Sequence, residues 1–187
     1  VTGVQTCALP ILQNVPTSAT TTSATTSATA TPTVINPGII KTAGIEALTL
    51  VSGGSGYTNN TIVLNDANAR TLTITGSQKA TVSFDSATNA FGTASTSSTS
   101  STGVSSIDAS ALTGKLALTI SGAYLGTAYA GISVKGGSND DSITLAAQTG
   151  TGRYTVDAGA GNDTITTSTA AATLTGGAGN DSFVITN

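Results

Sequence analysis

The chain has 187 residues, of which 8% are charged and 4% aromatic, against about 25% charged in an average soluble protein. It has no histidine and its one cysteine is Cys7, which leaves no histidine general base, no zinc ligand pattern and no disulfide framework, so no enzyme is expected within it. The net charge of −3 comes from the C-terminal part, where Asp140, Asp141, Asp157, Asp163 and Asp181 face only Lys135 and Arg153, a balance that speaks against a nucleic-acid partner and for a cation.

Taken in chain order, residues 1–11 read VTGVQTCALPI. The string resembles a translated sequencing-adaptor oligonucleotide of the kind that contaminates metagenomic assemblies, which would make Cys7 foreign and the chain a fragment. The competing lipoprotein signal would need an apolar stretch ahead of Val4-Gln5-Thr6-Cys7, and there is none. Residues 12–42 are expected to be a disordered linker. Thr17 to Thr33 is a Thr/Ser/Ala tract with nothing to bury, so ordering it would cost backbone entropy without return.

Residues 43–130 alternate apolar and polar positions between turn signals. Leu48 and Leu50 share a face, as do Ile62 and Leu64, Leu72 and Ile74, Val82 and Phe84, and Leu116, Leu118 and Ile120. That period predicts β-strands, here short and irregular ones. Gly53-Gly54-Ser55-Gly56 is a plain turn, because Thr58 stands where an acid would be needed. No run of about 18 apolar residues occurs, so no membrane span is expected.

From residue 131 to the end the pattern becomes a repeat. Gly136 to Thr144, Ala158 to Thr166 and Gly176 to Val184 follow the scheme G-G-x-G-x-D-x-U-x, with U a large apolar residue. Val134, Val156 and Leu174 precede the three copies at the same offset. Ala158 replaces the first glycine of the second copy, and Asn139 the third-glycine position of the first. From Ala158 to Gly176 is 18 residues, two nonapeptides and hence one coil. From Gly136 to Ala158 is 22, and the four extra residues are expected to bulge within Ala147–Arg153. All three turns then stack on one side. Coils about 4.8 Å apart would set two carboxylates at about 5 Å, a repulsion of roughly 3 kcal/mol at an effective dielectric of about 20. Hard oxygen donors with excess negative charge suit Ca²⁺.

These copies resemble the repeats-in-toxin, or hemolysin-type, calcium-binding family over about 55 residues. The resemblance implies an all-β fold, a right-handed parallel β-roll or β-solenoid over 131–187. It implies that Asp141 with Asp163, and Asp163 with Asp181, share calcium ions. Carbonyls of Gly136, Ser138, Ala158, Ala160, Gly176 and Ala178 would complete the shells. Asp140 and Asp157, outside the sixth motif position, are expected to matter little. The family's members are usually exported and fold outside the cell. Ile107 to Leu116 resembles segments that precede such repeats in bacterial surface-layer proteins. The expectation is therefore a calcium-binding structural segment of a secreted, surface-layer-like protein, with calcium and further copies of itself as partners. The alternative is a calcium-dependent folding and secretion module of an exported enzyme, toxin or adhesin.

Overall fold

The period-two runs form strands with apolar side chains on one face and Thr, Ser and Asn on the other, because successive residues of a strand point to opposite sides. A computed structural model of the chain describes residues 19–21, 29–30, 38–42, 47–53, 59–65, 71–84, 106–120, 131–145, 153–168 and 171–186. Within them run β1 (Ala19–Thr21), β2 (Thr29–Ala30), β3 (Gly38–Thr42), β4 (Ala47–Ser52), β5 (Asn59–Asn65), β6 (Thr71–Gly76), β7 (Lys79–Phe84) and β8 (Ser106–Leu112). They are followed by β9 (Leu116–Ile120), β10 (Ile132–Lys135), β11 (Ser142–Leu145), β12 (Tyr154–Asp157), β13 (Thr164–Thr167), β14 (Ala172–Thr175) and β15 (Ser182–Ile185).

The odd-numbered strands make one sheet in sequence order and the even-numbered strands a second, and every pairing is parallel. The chain thus changes sheet at every connection, a solenoid-like architecture. Parallel neighbours in register place like on like. In the even sheet Leu48, Leu72, Ile107, Val134, Val156 and Leu174 form one column. In the odd sheet Ile62, Val82, Leu118, Ile143, Ile165 and Phe183 form another. Side chains from both sheets meet in one apolar cluster running from Leu48 to Ile165, with Leu174 packed against it. Each such buried aliphatic side chain contributes about 1.5–3 kcal/mol relative to exposure. β15 closes the described stack, and its Phe183 and Ile185 are exposed.

The strands of 43–130 stack on the C-terminal coils: β8 pairs with β10 and β9 with β11, so both sheets continue past residue 131, with one register shift between Thr73 and Thr75 where β6 meets β8. The in-register apolar columns are the physical reason, since Ile107 and Leu118 continue the rows of Val134 and Ile143. The linker over 12–42 and the adaptor-like segment 1–11 lie outside the described residues, apart from β1, β2 and β3. The four-residue surplus falls where expected. β10–β12 and β11–β13 pair at an offset of 22 residues, β12–β14 and β13–β15 at 18, so the extra residues sit between Leu145 and Tyr154.

Candidate functional site

The three glycine-rich segments join β10 to β11, β12 to β13 and β14 to β15. Each leads from the even sheet to the odd one, so all three stack on one edge, as the spacing predicts. The register just before β11, β13 and β15 places Asp141, Asp163 and Asp181 in one column, which continues through Leu116, Ala80 and Asn60 in earlier coils. Asp141 and Asp163 are each only 1% exposed. The column is carboxylate at one end and apolar in the middle, and Asp141 sits at the junction.

Each carboxylate reaches back to the preceding coil. Asp141 Oδ1 accepts the N–H of Leu116 at 2.8 Å, Asp163 Oδ1 that of Asp141 at 2.7 Å, and Asp181 Oδ1 that of Asp163 at 3.0 Å. Asp141 Oδ2 also accepts the N–H of Gly137 in its own turn, at 2.7 Å. Asp163 Oδ2 is buried and has no hydrogen-bond partner. These backbone partners were not foreseen from the sequence. The signal for them is the low count of basic side chains: a buried carboxylate without a cation beside it must take backbone donors.

The electrostatics are unfavourable to charge. Burial pushes the Asp141 carboxyl up from 3.8 to about 6; the Leu116 and Gly137 N–H groups pull it down, and the Asp163 charge adds to the rise. Asp163 is also raised, first by burial, against the pull of the Asp141 N–H, with Asp181 and Asp140 adding to it. Lys115 draws both down only weakly, as the last cause in each case.

The backbone positions expected to help hold an ion are brought to the same edge, with different surroundings. Gly136, Ala158 and Gly176 are buried, whereas Ser138 and Ala178 are exposed. The Ala158 carbonyl oxygen lies so close over Gly136 that no Cβ fits there. Ala160 and Ala178 form a parallel bridge. Ser138 directs its N–H to the Leu112 carbonyl at 3.3 Å, and the Ala178 carbonyl accepts the Gly161 N–H at 2.8 Å. Gly159, Gly161, Gly177 and Gly179 take positive φ, which lets the second and third turns follow one backbone path.

A second ladder runs on the outer side of the turns. Asp140 Oδ1 accepts the Asn162 N–H at 2.7 Å and Asn162 Oδ1 the Asn180 N–H at 2.9 Å. Asp140 therefore has a stacking role that its motif position does not announce.

Among the described residues no group of three or more His, Cys, Asp or Glu side chains converges to hold a metal. A cation here would draw on two neighbouring carboxylates and main-chain oxygens, a donor set hard cations accept. An oxygen that takes one N–H still has a lone pair to offer. The buried, unpartnered Asp163 Oδ2 is the atom that fits such an ion. Comparison with protein-family models, curated proteins and solved structures returns no match.

Proposed function

We propose that the Asp141–Asp163–Asp181 column, with carbonyls of the adjoining turns, binds calcium, and that the ion couples folding of the coils to the calcium level outside the cell. The observation that carries this is Asp163 Oδ2, buried and without a partner beside a second buried carboxylate. Leaving a buried acceptor unsatisfied costs about 1–3 kcal/mol, more for a charged group, and a divalent ion would both satisfy it and neutralise the column. Asp163 with Asp141 or Asp181 would hold the ion, whose contribution is charge neutralisation and cross-linking of successive coils.

The chain is then a calcium-binding structural segment of a secreted bacterial protein at the cell surface, surface-layer-like, with the repeats-in-toxin scheme as its local building rule. The two long parallel sheets favour a scaffold over a catalyst. The calcium-dependent folding module of an exported enzyme, toxin or adhesin would use the same edge in the same way. A metal-independent scaffold is the second reading, favoured by the backbone N–H bonds that the column accepts.

Calcium titration calorimetry on the whole chain, with circular dichroism before and after chelation, separates the two. Calcium-specific heat, magnesium giving little, with a gain in β signal is expected. Equal β content and equal unfolding midpoints with and without calcium would leave the metal-independent scaffold.

A further inference from the structure

The three turns are not equivalent, and the difference lies at their first residue. In the first turn Asp141 folds back over Gly136: a Cβ there would come within 2.7 Å of Asp141 Oδ2, the oxygen that holds the Gly137 N–H. In the third turn the Asp181 carboxylate lies against Gly176 so closely that a Cβ would overlap it. Both aspartates occupy volume that only glycine leaves open. The second turn carries Ala158 at this place, and its methyl group is fully buried. It is also the turn whose aspartate, 1% exposed, has an oxygen with no partner. The methyl stands where the first and third turns place their carboxylates.

We infer, taking calcium binding at the column as given, that Ala158 is the specificity-determining residue of the edge. Its methyl keeps Asp163 from closing on its own turn and so reserves Asp163 Oδ2 for the cation. Asp141, by contrast, has both oxygens on backbone N–H groups, so each can offer an ion only its remaining lone pair. The first ion to bind therefore belongs to Asp163, and the three aspartates are a graded set in place of equal sites. Sequence alone marks Ala158 as a lapse from the repeat; in the structure it has a consequence for binding.

Ala158→Gly tests this, since it restores the residue the other two turns carry and gives Asp163 room to take the Gly159 N–H. In calorimetric titration of the whole chain with Ca²⁺, the tightest site is expected to weaken by about tenfold, equivalent to about 1.4 kcal/mol. The metal-free chain is expected to unfold at a higher urea concentration than wild type, a shift that simple loss of packing would not give. Repeating the substitution in an Asp163→Asn background should leave the calcium affinity of that background unchanged. Wild-type chain that takes up no calcium overturns the proposed function itself. Wild-type chain that binds while Ala158→Gly binds equally well or better, or the same tenfold loss in the Asp163→Asn background, overturns the role of Ala158 alone.

Discussion

In metal-free buffer the chain is expected to gain stability as the pH falls from 7 to 5. Most proteins change in the opposite sense on acidification, because their paired carboxylates lose partners. Here the Asp141 carboxyl is raised from 3.8 to about 6 by burial, so the folded state holds the proton more tightly than the unfolded chain. Stability therefore rises as pH drops through about 6 and levels off below 3.8. At about 1.4 kcal/mol per pKa unit, the ionised Asp141 costs the fold on the order of 3 kcal/mol at pH 7 and about half of that at pH 5. The expected gain is thus about 1 kcal/mol over this interval, and Asp163, shifted the same way, adds to it. Asp108 works in the other direction, since the hydroxyl and N–H of Ser110 lower its carboxyl. Its contribution is present above 3.8 and is lost only as pH falls through that lowered value, outside the window. Urea unfolding followed by circular dichroism at pH 7, 6 and 5, after metal removal, measures the effect. Asp141→Asn should flatten the dependence to the share of Asp163. Saturating calcium should reverse its sign, because the ion binds the ionised form. A midpoint that stays level or falls between pH 7 and 5 in the metal-free wild type would refute the electrostatic account of the column.

Gly136→Ala should lower the unfolding free energy, by about 1–3 kcal/mol for an overpacked site, because the new Cβ meets the Ala158 carbonyl; Gly53→Ala, with nothing within 4 Å of its Cβ, should stay within about 0.5 kcal/mol, both read from urea unfolding. Ile143→Ala removes a fully buried side chain from an inner strand of the odd sheet and should cost about 2–5 kcal/mol in denaturant unfolding, whereas Phe183→Ala, at 47% exposure, should cost clearly less. Asp140→Ala deletes the acceptor of the Asn162 N–H; hydrogen exchange at the Asn162 amide should speed up while calcium affinity stays within about twofold.

Strand positions were legible because apolar–x–apolar pairs such as Leu48 with Leu50 and Val82 with Phe84 admit no helical face. The stacking of the last three coils was legible too, since 18 and 22 residues bracket one coil. Pairing among β4 to β10 was not. Partners there lie 24 residues apart for β4 and β6, 35 for β6 and β8, and 27 for β8 and β10, so no repeat length emerges. Only the in-register apolar pairs betray the continuity, and short Leu, Ile and Val pairs look alike wherever they occur. At the site, the sequence singled out the three aspartates and their column but not their backbone partners. Those depend on where the turn carries the main chain, which residue type alone does not specify.

The column also explains why these turns contain aspartate at all. Between β6 and β7 the connection is only Ser77 and Gln78, and between β8 and β9 only Thr113 to Lys115. With turns so short the ladder stays intact to the strand end: Ala80 donates its N–H to the Lys115 carbonyl at 2.9 Å. The residue inside the column needs no polar group, and it is Ala80 or Leu116. Where the connection lengthens to six glycine-rich residues, the main chain swings away before the corresponding carbonyl can be offered. The next N–H down, that of Leu116, goes instead to Asp141 Oδ1, and those of Asp141 and Asp163 go to the carboxylates above them. A carboxylate thus stands in for one missing carbonyl per coil. The substitution satisfies a buried donor but brings a charge and a second oxygen into the interior. The first copy directs that oxygen to its own turn. The middle copy leaves it buried without a donor, and it is there that the proposed ion would be held.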